Sequence, residues 1–217
     1  MCDMITDVRQ EKQNILIVIN ETVTLRIDRS QYSERPFSVG EKIDLEEFLE
    51  WLALRQYPSA INDAIGFLAA RVRSALEVRQ KLMSKGYWES TIDLVLYKLE
   101  KEGLVNDEQF AYEWSRARIR RQYGSARILW ELKRKGIRDT TASQSLEKAS
   151  IDLQGNDDNA MINSLAEKLL RRVRNDPNPN KAMRKVLSAM VRRGFSYDDA
   201  SAAIQASLAV ASSDEDS

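Results

Sequence analysis

Basic residues crowd into one short stretch of this 217-residue chain. Residues 116–138 contain nine Lys or Arg against a single acid, Glu131, so the local net charge is 9 − 1 = +8. Solvated helix faces usually interleave both signs. The signs do not alternate in this stretch, which instead predicts a surface for phosphates or for an acidic protein groove. The candidate contact residues of this stretch are Arg116, Arg118, Arg120, Arg121, Arg127, Lys133, Arg134 and Lys135, and Arg138 is the ninth cation in the count.

Two further groups of cations are candidates as well. The first lies near the end of the chain and consists of Arg171, Arg172, Arg174, Arg192 and Arg193. The second is the pair Lys81 and Lys85, within residues 77–102, where basic and acidic residues alternate and an ordinary solvated helix face is the favoured interpretation. If the partner is DNA, binding should weaken steeply with added salt.

The formal net charge of zero hides a segregation of charge along the chain. Residues 61–205 hold 26 basic and 19 acidic residues, a net of +7, and the remainder holds 7 and 14, a net of −7. The central part of the chain is therefore the part expected to meet an anionic partner.

Residue types that are missing exclude most enzyme chemistry. The chain has no histidine and one cysteine, Cys2, so the commonest general base and a thiolate metal cluster are both absent. No glycine-rich phosphate-binding motif occurs. Asp107 and Glu108 are better explained as first-turn helix residues than as a catalytic pair. We expect no enzyme and no cofactor, although an acid-only metal site stays open.

Aromatic residues lie among the cations but do not decide the function. Tyr112, Trp114, Tyr123 and Trp130 could stack on nucleobases. The helical spacing of Phe110 and Trp114 favours a core position instead. Tyr123, next to a glycine, is more typical of a loop anchor.

A helix-ending pattern that occurs three times indicates which helices position these residues. It reads Lys85-Gly86-Tyr87, Lys135-Gly136-Ile137 and Arg193-Gly194-Phe195. In each copy, apolar residues stand eight and four positions before the glycine, on one helix face. Glycine just past a helix adopts the left-handed conformation without penalty. Three copies in one register indicate a helical repeat.

Each repeat reads as three helices, with the glycine between the second and the third. Helix starts are expected at Ser74, Asn106 and Ser196, and the loop 175–180 lengthens the last repeat. We expect a mainly α fold, in which tandem three-helix repeats form an elongated curved array. The predicted repeats span 61–104, 107–150 and 158–207.

The two ends of the chain follow different patterns. Ile15–Ile19 and Thr22–Asp28 predict a β-hairpin within an amino-terminal subdomain of residues 1–60, with an extra strand from 37–43 or docking on the first repeat. A helix is predicted from Asp44 to Tyr57, ending before Pro58. Residues 208–217 are predicted to be an acidic disordered tail.

Localisation follows from the same composition. No apolar run is long enough to span a bilayer and no signal peptide is visible, so a cytoplasmic protein is expected. Cys2 has no intramolecular disulfide partner, which fits a reducing compartment.

The motifs together resemble those of the RecX regulatory proteins. The central signature reads Gly103-Leu104-Val105-Asn106-Asp107-Glu108-Gln109-Phe110-Ala111, then Arg116-x-Arg118, then Tyr123-Gly124-Ser125-x-Arg127-Ile128-x-x-Glu131-Leu132-x-x-Lys135-Gly136-Ile137. It is flanked by Arg71-x-Arg73-Ser74-x-x-Glu77-x-Arg79-x-Lys81-Leu82-x-x-Lys85-Gly86-Tyr87 and by Arg192-Arg193-Gly194-Phe195.

The resemblance covers about residues 60–205 and has two departures. Ser125 stands where the family usually has proline, and Asn106 where it usually has aspartate. Neither departure changes the pattern of charges.

The resemblance implies a regulator, mainly an inhibitor, of the RecA recombinase. Such proteins bind along the groove of the RecA filament on single-stranded DNA and limit ATP hydrolysis, strand exchange and coprotease action, which affects DNA repair, recombination and the SOS response. The implied partners are RecA and single-stranded or double-stranded DNA, with no membrane and no small-molecule substrate, and a monomer is expected.

Two alternatives belong to other classes. A stand-alone DNA-binding module of helix-turn-helix type is compatible with the turn at Gly86, but three evenly distributed turns argue against a single recognition helix. The other alternative is a helical scaffold for an unrelated protein.

Overall fold

A computed structural model describes residues 3–12, 14–154 and 158–215. Cys2 and the last two residues of the acidic tail lie outside these ranges. The chain divides into two compact units, an amino-terminal unit of residues Met1–Asn106 and a carboxy-terminal unit of residues Asp107–Ser217. Among the described residues, the helices are too short or too polar to cross a membrane.

A four-stranded antiparallel sheet opens the amino-terminal unit. Its strands are β1 (Asp3–Gln10), β2 (Asn14–Ile19), β3 (Val23–Asp28) and β4 (Lys42–Ile43), in the order β3-β2-β1-β4. The predicted hairpin is confirmed as β2 and β3, joined at Asn20 and Glu21 with φ of 49° and 60°. Two positive φ angles give the turn the twist that suits antiparallel strands. The extra strand is present as β4, whereas β1 had no clear signal in the sequence.

One face of the sheet packs against a long helix. After the short helix α1 (Arg29–Glu34), helix α2 runs from Leu45 to Leu68. Phe48 and Leu52 of α2 are buried against Ile17 and Leu25 of the sheet. This packing buries the apolar face of the sheet in one core with the helix.

The predicted end of this helix before Pro58 is wrong. Helix α2 continues through Pro58 to Leu68, although an interior proline removes one backbone hydrogen bond and crowds the preceding turn. The reason is that α2 serves two cores. Its first half covers the sheet, while Ala60 and Ala64 are buried in the core of the first helical repeat.

The remaining helices group into three triplets. The first triplet is α2 with α3 (Ala75–Ser84) and α4 (Glu89–Lys101). The second triplet is α5 (Asp107–Ile119), α6 (Ser125–Arg134) and α7 (Asp139–Gln154). The third triplet is α8 (Asp158–Val173), α9 (Pro179–Arg192) and α10 (Tyr197–Glu215). Each triplet buries its own apolar cluster, and its first and third helices pack against each other.

The repeated helix endings have the predicted geometry. Gly86, Gly136 and Gly194 have φ of 87°, 81° and 94°. In each ending the amide after the glycine donates to the carbonyl five residues earlier, as from Tyr87 to Leu82 at 3.3 Å. This is the pattern of a Schellman cap, which turns the chain from the second helix of a triplet into the third.

The end of the chain differs from the prediction of disorder. Helix α10 extends to Glu215. Ala202, Ala203, Ala206, Ala209 and Ala211 supply the highest helix propensity of any residue type. Buried Ala203 and Ile204 hold the helix against the third core.

Candidate functional site: a basic surface in the carboxy-terminal unit

The single acid of the basic segment is the centre of a bonded cluster. Glu131, on α6, accepts from Arg118 Nε at 2.6 Å and from Trp114 Nε1 at 3.1 Å through one oxygen. Its other oxygen accepts from Arg127 Nε at 3.0 Å. The Glu131 side chain is only 11 % exposed, so these bonds compensate the burial of its charge. The cluster fixes α6 on α5.

Three of the predicted contact residues make contacts within the protein itself. Arg118 and Arg127 share Glu131. Arg116 lies 3.7 Å from Glu113, and its guanidinium carbon is 5.4 Å from the centroid of the Tyr112 ring.

Four other cations of the segment are exposed and have no carboxylate partner among the described residues. Arg120 and Arg121 follow α5, and Arg134 and Arg138 bracket the end of α6. The two pairs thus stand near opposite ends of a ten-residue helix, which is about 15 Å long. Lys133 is also exposed and lies 3.8 Å from Asp139, whereas Lys135 is half-buried with Nζ 4.9 Å from the Trp114 ring centroid.

Of the four aromatic residues that the sequence places among the cations, Trp130 is the exposed one. Its accessible fraction is 44 %, while Tyr112, Trp114 and Tyr123 are half-buried and pack against the second core. The guanidinium carbons of Arg127 and Arg134 lie 4.5 Å and 4.8 Å from the Trp130 ring centroid. Cations at this distance are attracted to the electron-rich face of the ring.

Trp130 lies on the wall of a cleft between α6 and α9. The cleft has a volume of about 740 Å³. Its α6 side is formed by Tyr123, Ala126, Arg127 and Trp130, and its α9 side by Ala189, Val191, Arg192, Arg193 and Gly194.

The chain segments on the two sides of the cleft meet through backbone at Gly124 and at Arg193 and Gly194. The Gly124 amide donates to the Arg193 carbonyl at 2.8 Å, and a Cβ on Gly124 would lie 2.5 Å from the Gly194 carbonyl oxygen. A Cβ on Gly194 would lie 2.5 Å from the Arg127 nitrogen. No side chain fits at either position, so the backbones of the two segments approach closely at these glycines.

The sequence predicts both Arg192 and Arg193 as contact residues, but the structure gives their side chains different surroundings. Arg193 is half-buried and donates from Nη1 to the carbonyl oxygens of Arg121 and Gln122 at 2.9 Å and 3.3 Å. Arg192 is exposed on the cleft and has no carboxylate partner among the described residues. Arg192 can meet a ligand, while Arg193 joins the second and third triplets.

The remaining candidates of the third triplet lie away from this cleft. Arg171 pairs with Glu167 at 2.5 Å on α8. Arg172 and Arg174 are exposed, and Arg171 and Arg174 line a separate cavity of about 920 Å³ within the third triplet.

The two lysines of the amino-terminal unit take part in local contacts. Lys81 Nζ lies 5.8 Å from the Phe67 ring centroid. Lys85 donates to Asp63 at 2.5 Å, and the Tyr87 hydroxyl donates to the other Asp63 oxygen at 2.7 Å. The Lys85 bond holds the pKa of Asp63 below its usual value, and burial raises the pKa of Tyr87. This cluster ties the first repeated helix ending to α2.

A metal site finds no support in the described part of the chain, which contains no group of three or more His, Cys, Asp or Glu residues placed to hold an ion. The acidic first-turn residues Asp107 and Glu108 lie at the start of α5, as expected for that end of the helix dipole.

Family models match each helical triplet separately. The model of the first RecX three-helix domain matches residues 60–99, that of the second matches residues 106–146, and that of the third matches residues 156–204. Together they cover more than half of the chain.

Individual relatives agree with these matches. A regulatory protein RecX from Amycolatopsis mediterranei is 34% identical over 142 residues, which cover 64% of this chain and 78% of that protein. A regulatory protein RecX from Clostridium perfringens strain SM101 is 27% identical over 200 residues, which cover 89% of this chain and 91% of the relative.

Two crystal structures have a related fold. A regulatory protein RecX aligns with a TM-score of 0.58 at 22% identity and covers 91% of this chain and 96% of its own, which is evidence of fold alone. RecX from Lactobacillus salivarius aligns with a TM-score of 0.59 at 28% identity and covers 71% of this chain and 97% of its own. The three domain matches, in order along the chain, show that this protein belongs to the RecX family of regulatory proteins, which are not enzymes.

Proposed function

We propose that this protein regulates the RecA recombinase, mainly as an inhibitor, by binding the RecA filament on single-stranded DNA through the basic surface of its second triplet. The observation that carries the proposal is the set of exposed cations without carboxylate partners among the described residues: Arg120, Arg121, Arg134 and Arg138. Membership of the RecX family supplies the class of partner. We infer a cytoplasmic protein that acts as a monomer.

The direct test is the DNA-dependent ATP hydrolysis of RecA with this protein titrated in. We expect hydrolysis to fall as the protein is added. A rate that stays unchanged at saturating protein would contradict regulation of RecA.

The contact surface is tested by neutralising exposed cations that the fold does not use. The triple variant Arg120→Gln, Arg121→Gln and Arg138→Gln removes three charges and leaves the Glu131 cluster intact. Neutralising Arg116 and Arg118 is a poorer test, because Arg118 is bonded to Glu131 and its loss would also weaken the fold. We expect the triple variant to lose inhibition at unchanged helicity.

A matched control removes the same amount of charge from the amino-terminal unit. Arg29, Lys42 and Lys101 are exposed and have no carboxylate partner among the described residues. Their triple replacement by glutamine should inhibit RecA as the unmodified protein does. Equal losses in both triple variants would mean that net charge, rather than the proposed surface, governs binding.

Salt dependence distinguishes a DNA contact from a RecA contact. Each phosphate contact to single-stranded DNA contributes about 0.7 to the slope of log affinity against log salt concentration. If all three arginines meet phosphates, the triple variant should show a slope smaller by about 2 on DNA alone. A stand-alone DNA-binding module is the second candidate. It would show the same dependence of DNA affinity on salt but would leave ATP hydrolysis by RecA unchanged.

A further inference from the structure

We propose that the cleft between α6 and α9 is a stacking site for a nucleobase of single-stranded DNA, with Trp130 as the platform. The inference deepens the proposed function and rests on it for its biological setting, because it names which part of the filament this surface meets. Its physical basis is the combination of an exposed aromatic ring, exposed cations and a cleft of about 740 Å³. Sites that hold small ligands have volumes of roughly 300–1,000 Å³.

Trp130 is placed as a ligand platform rather than as a core residue. Trp114, which packs against the second core, is half-buried and donates its indole N–H to Glu131. Trp130 keeps 44 % of its surface exposed, and it lines the cleft beside the small side chains of Ala126 and Ala189. Small neighbours leave room for a flat ring to approach.

The two arginines beside Trp130 are held differently. Arg127 is anchored, because its Nε donates to Glu131 at 3.0 Å. Arg134 contacts the ring at 4.8 Å but has no carboxylate partner among the described residues. Arg127 lines the cleft, and Arg134 does not. The incoming base takes the ring face that Arg134 covers, at the rim of the cleft, where it displaces Arg134 and makes that guanidinium available to a phosphate oxygen. Stacking of a base on an aromatic ring is stronger than an exposed cation–π contact.

Anion contacts complete the site. Arg192 is exposed on the opposite wall of the cleft. The bond from Arg127 to Glu131 uses Nε, so its terminal nitrogens can still donate to a phosphate. Guanidinium groups donate two parallel bonds to phosphate oxygens, which suits this task.

The chemistry favours single-stranded DNA over an acidic protein segment. An acidic peptide would use the cations but would leave the Trp130 ring without a function. A base pair within a duplex has no free face to offer, whereas every unpaired base has one.

The test measures binding without RecA, by fluorescence anisotropy of a labelled oligothymidylate of about 12 nucleotides. An abasic oligomer of the same length and charge serves as the matched ligand. The unmodified protein should bind the oligothymidylate about tenfold more tightly than the abasic oligomer, in line with the contribution of one stacked base. Trp130→Leu should bind both with the lower affinity.

Two further variants separate stacking from charge and from folding. Trp130→Phe retains a ring and should recover most of the preference for the oligothymidylate. Arg192→Gln should weaken binding of both oligomers by a similar factor. Trp130→Leu changes an exposed side chain, and an unchanged far-ultraviolet circular dichroism spectrum would establish that this variant folds. If Trp130→Leu does not fold, the comparison is made with Trp130→Phe.

Three outcomes would overturn the stacking site. They are equal affinity of the unmodified protein for the two oligomers, an unchanged preference in Trp130→Leu, and binding of polyglutamate that depends on Trp130 to the same degree. The proposed function fails separately, since it falls if the unmodified protein leaves RecA ATP hydrolysis unchanged whatever the oligomers show.

Discussion

The backbone amide of Gly124 donates to the carbonyl oxygen of Arg193 at 2.8 Å, across the boundary between the second and third triplets. The Arg193 side chain returns a bond to the Arg121 carbonyl at 2.9 Å. These bonds satisfy polar groups that would otherwise be left without partners where the two turns meet. They set the separation of α6 and α9, and with it the width of the cleft beside Trp130.

Replacing Gly194 by alanine should destabilise the carboxy-terminal unit. Gly194 has φ of +94°, and its added Cβ would meet the Arg127 backbone at 2.5 Å. Gly103→Ala is the matched control, since Gly103 has φ of +71° and an added Cβ there would meet nothing within 4 Å. Both variants incur the penalty of positive φ, and Gly194→Ala should lower the free energy of unfolding by about 1–3 kcal/mol more. Urea denaturation measures the difference, and equal losses would contradict the close contact.

Replacing Glu131 by glutamine should weaken the attachment of α6 to α5. The neutral amide keeps the shape of the side chain but loses the charge that Arg118 and Arg127 share. We expect a loss of about 1–3 kcal/mol in the free energy of unfolding. Glu113→Gln is the control, because Glu113 is 51 % exposed and 3.7 Å from Arg116, and its loss should be below about 1 kcal/mol. Similar losses in thermal or urea melts would show that Glu131 is an ordinary surface acid.

Replacing Pro58 by alanine should stabilise the amino-terminal unit. Pro58 is exposed within α2, so alanine restores a backbone donor without removing buried surface. We expect the free energy of unfolding to rise by about 1–2 kcal/mol, after part of the gain is lost to the greater freedom of the unfolded chain. Pro179 is the first residue of α9, where proline is well tolerated. Pro179→Ala should therefore give no comparable gain, and a gain of the same size would contradict the helical explanation.

Acid should remove a stabilising contribution of Asp63. The Lys85 bond lowers the pKa of Asp63 in the folded state below its ordinary value of 3.8. A group with a depressed folded pKa stabilises the protein above its unfolded pKa, and the contribution disappears as pH falls through the folded pKa. Asp63→Asn should therefore be less stable than the unmodified protein near neutral pH, and the two stability curves should converge below pH 3.8. A difference that is independent of pH would mean that packing, not charge, is responsible.

Local rules were enough to predict the elements that depend on local geometry. The glycine endings at Gly86, Gly136 and Gly194 were predictable because a left-handed residue after an amphipathic helix has a distinct pattern. The hairpin of β2 and β3 was predictable from its alternation. The same local rules wrongly predicted a helix end at Pro58. The cost of an interior proline comes from its own turn of helix, whereas the stabilisation from burying Phe48 and Ala64 comes from residues distant in the chain.

Buried polar contacts were beyond local reasoning. Gln56 is 4 % exposed, and it donates to the Arg26 carbonyl at 3.1 Å while accepting from the Trp88 amide at 2.9 Å. These partners lie 30 and 32 residues away in the chain. Nothing in the sequence around Gln56 marks it as the bridge between the sheet and the first triplet.

For the candidate site, the sequence by itself determined the density of positive charge in residues 116–138, the absence of histidine and the repeat that orders the helices. Only the tertiary structure decided which cations are available. Arg118 and Arg193 are engaged in the fold, while Arg120 and Arg192 are exposed and without carboxylate partners among the described residues. The physical reason is that charge belongs to a residue type, but the partner of that charge depends on which distant carboxylates and carbonyls the packed helices bring within hydrogen-bonding distance.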